Sequence, residues 1–232
     1  MSGKLQDKVA LITGASSGIG AEVAKKFASE GAHVILVARS VGGLEEVDDD
    51  IQNAGGSATL VPLDLLDTAA IDGLAAPLYE RFKKLDIFVG NAGMLGKLMP
   101  TQQYIPELWE EVFRLNVHAN QRLIRALDPL LRQSETGRAL FVTSSVAHEN
   151  KQFWSAYAAS KAALEVIAKT YAHEVAKTNL KVNLIDPGPT RTRLRAVAYP
   201  AENPNDHPLP ETKAQMFLDA VLSKENGTVF GG

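Results

Sequence analysis

The chain has no cysteine among its 232 residues. That excludes disulfides and thiolate metal sites, and it permits a reducing compartment. The five histidines are scattered without the spacing of metal ligands. Asp48-Asp49-Asp50 has no glycine-turned loop around it, so it is a charged helix surface and not a calcium site. No apolar run reaches the ~18 residues that a membrane span requires. Met1 to Lys8 is polar and lacks the apolar stretch of a signal peptide. There is no basic excess either: the formal net charge is -3, which argues against a nucleic-acid binder. A soluble, cytoplasmic protein is expected.

What is present in quantity is apolar residues, 45% of the total, enough to bury a sizeable core in one domain over 1–232. Short apolar runs recur at Val9–Thr13, His33–Ala38, Ala58–Leu63, Leu85–Val89, Arg138–Thr143, Lys181–Ile185 and Thr228–Phe230. Between them lie stretches with helical periodicity: from Ile19 to Gly31, Leu44–Ala54, Thr68–Lys83, Glu107–Gln133, Ser155–Lys177 and Glu211–Ser223. The strands are apolar on both faces, as parallel strands covered by helices must be. Right-handed crossovers then predict an α/β, doubly wound Rossmann fold with a parallel seven-stranded sheet. Pro187 to Pro210 holds six of the eleven prolines, so an irregular insert is expected at about 190–210.

Thr13-Gly14-Ala15-Ser16-Ser17-Gly18-Ile19-Gly20 joins the first strand to the first helix. In that context Gly14 makes the tight turn, Gly18 lets a pyrophosphate approach, and Gly20 lets the helix pack closely on the sheet. The helix N-terminus adds free N–H groups and the positive end of its dipole. Together these point to a dinucleotide. Far downstream, Tyr157-Ala158-Ala159-Ser160-Lys161 opens a helical run. Residues four apart share a helix face. An ammonium beside a phenol favours the phenolate, which predicts a tyrosine of lowered pKa able to exchange a proton at neutral pH.

With Asn91-Ala92-Gly93, Asn116, Ser144 thirteen residues before the Tyr, and Pro187-Gly188, the whole pattern resembles the classical short-chain dehydrogenase/reductase family. The likeness runs from Lys8 to about Thr192, and the chain looks similar to small bacterial reductases with a short C-terminal lid. It implies an NAD(P)-dependent oxidoreductase that moves a hydride between a nicotinamide and a carbonyl or alcohol. The alternatives are a nucleotide-binding protein of the same fold with a regulatory or non-redox role, and an NAD-preferring dehydrogenase.

By that resemblance Tyr157 is the acid-base catalyst. Lys161 lowers its pKa and holds the nicotinamide ribose. Ser144 bonds the substrate oxygen, and Asn116 holds a water of a proton relay. Ser145, adjacent to Ser144, is the weaker choice on both family spacings. Gly14, Ser16, Ser17, Gly18, Ile19, Gly20, Asp64, Asn91, Ala92, Gly93, Pro187, Gly188, Thr190 and Thr192 are implied in cofactor binding, with Asp64 at the adenine and Thr190 at the carboxamide. The second strand ends in Ala38-Arg39, where an NAD enzyme places an acid. Arg39 suits a 2′-phosphate, so NADP(H) is favoured and NAD(H) remains possible. The resemblance also implies a homodimer or homotetramer, built on the helices around Glu107–Gln133 and Ser155–Lys177. Arg191, Arg193 and Arg195 read as a solvated run, and Ala198–Pro210 as a segment mobile without substrate. His148, Phe153 and Trp154 lie where a substrate wall or a packed loop would be.

Overall fold

The computed structural model describes residues 3–232. Seven strands form one sheet: β1 (Val9–Thr13), β2 (His33–Ala38), β3 (Ser57–Pro62), β4 (Ile87–Gly90), β5 (Arg138–Val142), β6 (Lys181–Asp186) and β7 (Val229–Gly231). Their spatial order is β3-β2-β1-β4-β5-β6-β7, and all six pairings are parallel. The order reverses between β1 and β4, and a doubly wound sheet binds its ligand in the crevice that this reversal opens.

The period of two along each strand sorts its side chains between two cores. Ala10 and Ile12 of β1, with Val34 and Leu36 of β2, face one layer, where Val23, Phe27 and Phe217 pack. Leu11, Ile35 and Val37 face the other, against Leu123, Leu127, Leu164 and Tyr171. The first layer is supplied by α1 (Gly18–Ser29), α2 (Val41–Asn53) and α10 (Ala214–Leu222). Two interrupted segments and α8 (Ser155–Glu174) cover the other face.

Both interruptions depart from the expected continuous helices. Thr68–Lys83 is divided into α3 (Thr68–Asp72) and α4 (Ala75–Phe82). Pro77 is the reason: it has no N–H for the Gly73 carbonyl, and its ring clashes with that carbonyl in a continuous helix. Glu107–Gln133 begins instead at Pro106 and becomes α5 (Pro106–Phe113), a wide π turn over Arg114–His118, and α6 (Ala119–Arg132). The Ala119 N–H reaches back five residues to the Arg114 carbonyl. Such bulges concentrate at functional sites, and this one carries Asn116.

At the opposite end of the sheet, Asp86 is fully buried and accepts from the Val9 N–H (3.0 Å), Lys84 Nζ (3.0 Å) and Ser134 Oγ (2.5 Å). Burial disfavours its charge, but these donors hold its pKa below the ordinary carboxylate value. It pins β1, β4 and the turn before β5 together, far from the crevice.

Candidate active site

The crevice at the carboxyl ends of the strands is a cleft of about 1670 Å³. Its floor is the turn after β1. Gly14 and Gly18 have φ of 66° and 58°, the left-handed region that favours glycine. A Cβ on Gly20 would lie 2.3 Å from the Gly14 carbonyl oxygen and 2.5 Å from Asn91 Nδ2. The turn is therefore clamped shut at its base. At Gly18 the nearest atom to an added Cβ is Thr192 Cγ2 at 3.7 Å, so its upper face is open. Ser17 makes no side-chain bond to cap α1. An open glycine turn feeding a helix start with an uncapped N-terminus fits a dinucleotide pyrophosphate.

Asn91 is the clamp. Its Nδ2 donates to the carbonyls of Thr13 (2.9 Å) and Gly14 (3.4 Å), and its N–H donates to Thr13 Oγ1 (3.0 Å). Ala92 N–H shares that hydroxyl. Gly93 sits where a Cβ would come 3.2 Å from Asn116 Oδ1 and 3.4 Å from Lys161 Nζ. Beyond β2, Ala38 is buried while Arg39 is exposed and borders the cleft. Asp64 is exposed beside it, and its carboxylate accepts from the Leu66 N–H. Capping of α3 falls to Asp67 instead, which accepts from the N–H groups of Ala69 and Ala70.

Tyr157 and Lys161 share the inward face of α8, and both are buried. Asn116 is fully buried. It exchanges hydrogen bonds with both backbone groups of Met94 and donates to Ser160 Oγ (2.9 Å). Its own carbonyl accepts from Asn120 Nδ2 (2.9 Å). Asn120 occupies the space beside Gly90, where an added Cβ would meet its Oδ1 at 2.6 Å. Of the two adjacent serines, Ser145 is exposed and donates to Glu149 (2.5 Å). Ser144 is half-buried in the cleft, and its hydroxyl favours the ionised form of the Tyr157 phenol.

One expectation reverses. Tyr157 is not lowered: burial pushes its phenol above the ordinary value, Asp186 adds to this, and the Ser144 hydroxyl opposes it. Lys161 does not offset this. Its ammonium donates to the Val142 carbonyl (2.8 Å) and sits 5.7 Å from the Tyr157 ring centre. Burial pulls Lys161 itself down to about 8, against the opposing charge of Asp186.

The far wall is Pro187, Gly188, Thr190 and Thr192. Gly188 (φ 63°) donates its N–H to Asp186 Oδ1 at 2.9 Å. Thr190 Oγ1 donates to the Gly188 carbonyl, and Thr192 caps α9 (Arg193–Ala198) through the Arg195 N–H. The three arginines after Pro187 are not simply a solvated run. Arg191 donates to the Pro204 carbonyl and to Asn205, and Arg195 makes a bidentate pair with Glu202 (2.7 and 2.6 Å). Only Arg193 of the three is exposed. After Ala198 and Tyr199, which pack beside Trp154, proline and polar residues leave 200–208 no apolar face, and these side-chain tethers hold its short turns in place of one.

Four features were not singled out from sequence. Asp186 ends β6 inside the cleft. Asn120 supports Asn116. Glu165, buried on α8, accepts from Thr143 Oγ1 (2.7 Å), pairs with His148 (3.0 Å) and binds Lys169 (2.9 Å). Tyr199 lies tilted against Trp154 at 5.8 Å, and Trp154 meets Tyr157 edge-on at 5.9 Å. Only Asp186 had a visible signal, an acid directly before Pro187-Gly188.

A nucleotide crevice at the switch point, bordered by a Tyr–Lys pair and a serine, defines the class of Rossmann-fold oxidoreductases. Family and relatives agree. The sequence model described as short chain dehydrogenase matches residues 8–203. The uncharacterized oxidoreductase YciK of Escherichia coli is 38% identical over 217 residues, 92% of this chain and 86% of its own. A solved short chain dehydrogenase from Salmonella enterica superposes with a TM-score of 0.95 at 35% identity, covering 99% of this chain and 97% of that one. Another from Escherichia coli, complexed with NADPH, has a TM-score of 0.93 at 36% identity over 99% and 98%. This chain belongs to the short chain dehydrogenase family and is an oxidoreductase of that family.

Proposed function

We propose that the protein is a single-domain NADP(H)-dependent reductase or dehydrogenase that interconverts a carbonyl and an alcohol. The observation that carries this reading is the convergence of Ser144, Tyr157 and Lys161 on one cleft that also contains the open glycine turn. The nicotinamide, when bound, supplies or accepts the hydride. Gly14, Ser16, Ser17, Gly18, Ile19 and Gly20 cradle its pyrophosphate, while Asp64 and the segment Asn91–Gly93 border the adenosine side. Thr190 and Thr192 hold the far end, beside Pro187 and Gly188. Arg39, exposed next to an acid-free strand end, takes the 2′-phosphate. The NADPH found in the Escherichia coli relative supports that choice.

Ser144 holds the substrate oxygen by hydrogen bond and polarises it. Tyr157 gives that oxygen a proton in reduction and removes it in oxidation. Its raised pKa keeps it protonated at neutral pH, which suits the reductive direction. Lys161 holds the ribose and places a positive charge near the phenol. Asn116 braces the loop at Met94 and keeps a carbonyl near Lys161 for a relay water. Trp154, Val146, Leu95 and Ala198 exclude bulk water around Tyr157.

The outward face of α8 supports a homo-oligomer: Val166 there is 66% exposed beside half-buried Ala163 and Ile167. An apolar residue so placed on a long helix suits two-fold helix pairing. No described helix is long and apolar enough to cross a membrane, consistent with action in the cytoplasm.

The test is Tyr157→Phe assayed by nicotinamide absorbance across a panel of carbonyl compounds. Turnover is expected to fall roughly 10²- to 10⁴-fold, with NADPH affinity retained. A variant that keeps more than about a tenth of the wild-type rate removes Tyr157 as proton donor.

A further inference from the structure

Asp186 is the last residue of β6, only 5% exposed, and it borders the same cleft as Tyr157, Lys161 and Ser144. Its position is rigid. The Gly188 N–H donates to its Oδ1 (2.9 Å), and the Gly232 N–H donates to its carbonyl (3.1 Å). Among the described residues no lysine, arginine or histidine forms an ion pair with it within 4.0 Å. A carboxylate this enclosed acts through space on whatever charge shares its pocket, because little water screens it.

We propose that Asp186 is a positioning residue for proton transfer, a fixed negative charge at the end of β6 that keeps Lys161 an ammonium and Tyr157 a phenol. The proposal rests on the functional reading above, in which that pair handles the proton.

The groups facing Lys161 support this. From α8 comes Tyr157. From β5 come the Val142 carbonyl and, one residue further on, Thr143. From the segment after β4 come Gly93 and, behind it, Asn116, both neutral. Glu165, one turn along α8, is turned toward Thr143, His148 and Lys169. β6 pairs Ile185 with Val142, so Asp186 sits one residue beyond the strand position whose carbonyl holds the Lys161 ammonium. From there its charge opposes the burial cost of that ammonium, and it enters the balance of both Lys161 and Tyr157. Its sign acts the same way on each. A negative neighbour favours the protonated form of an amine and of a phenol alike. Removing it lowers both.

Asp186→Asn isolates the charge, since an amide oxygen can still accept from the Gly188 N–H. The direct readout is the ¹³Cε resonance of Lys161 followed from pH 6 to 11, assigned by its loss in Lys161→Met. The wild-type midpoint is expected near 8. In Asp186→Asn it should fall by about one pH unit, the size of one charge acting across several ångströms of partly screened pocket. Asp186→Glu should restore it. Asp186→Ser serves as the neutral variant if the Asn chain does not fold. The pH–rate limb for carbonyl reduction should move to lower pH by a similar amount.

A midpoint and a limb that stay in place in the neutral variant overturn the proposal. If the midpoint moves but the wild type reduces no carbonyl with NADPH, the charge coupling stands and the functional reading fails. If the wild type reduces carbonyls and the midpoint stays fixed, the functional reading survives and the coupling does not.

Discussion

The buried ammonium of Lys161 has a cost that can be measured without any substrate. Burial lowers its pKa from 10.5 to about 8, and the side chain is only 3% exposed. The unfolded chain therefore binds a proton more tightly than the folded one between those values. Where the unfolded state binds more protons, stability rises with pH. Every tenfold loss of proton affinity corresponds to roughly 1.4 kcal/mol, so the linkage is on the order of 3 kcal/mol. Lys161→Met removes the titrating group and keeps most of the buried volume. It also leaves the Val142 carbonyl without its donor, a penalty that does not change with pH. The informative quantity is thus the difference between the two proteins as a function of pH.

Relative to wild type, Lys161→Met should be most favoured near pH 7, and its advantage should shrink by about 3 kcal/mol on going to pH 10. Urea unfolding at half-unit steps of pH measures this directly, through midpoints at constant slope. Above pH 10 the raised phenol of Tyr157 works in the opposite direction, because the unfolded chain then loses a proton that the folded one retains. Stability curves that run parallel between pH 7 and 10 would refute a buried, depressed Lys161.

Arg39→Ala should raise KM for NADPH about tenfold to a hundredfold and leave NADH nearly unchanged, since a charge-assisted contact contributes roughly 1.5–3 kcal/mol. Ala38→Asp should go further by repelling the 2′-phosphate. Titrations of both cofactors at fixed ionic strength check this, and equal effects on the two would exclude the assignment. Gly20→Ala forces a Cβ to within 2.3 Å of the Gly14 carbonyl. The turn must move, with an expected loss of about 1–3 kcal/mol by urea titration and weaker NADPH binding by fluorescence. Light scattering should show the wild type as an oligomer and Val166→Glu as a smaller species; a monomeric wild type would exclude the oligomer, and an unchanged mass in the variant would place the interface elsewhere.

The sequence determined a good deal alone. Apolar runs alternating with helical stripes carried the parallel sheet, because covered strands and amphipathic helices write different periods into the chain. The glycine turn, Asn91-Ala92-Gly93 and the Tyr157–Lys161 spacing were legible for a similar reason: their geometry is local. Where the chain broke pattern locally, at Pro77, the split of the helix was also readable in principle, though the surrounding periodicity concealed it. The π turn at Asn116 was not, since it depends on Met94, a partner 22 residues away. The Pro-rich segment after Pro187 differs for the same reason. Arg191, Arg195, Glu202 and Asn205 look like solvated polar residues until the fold sets them opposite one another. Above all, only the tertiary structure decided the charge balance at Tyr157. Spacing on one helix put an ammonium near a phenol, but burial and a carboxylate from another strand outweigh it. Desolvation and through-space charge are properties of what packs around a group, and no single stretch of sequence contains them.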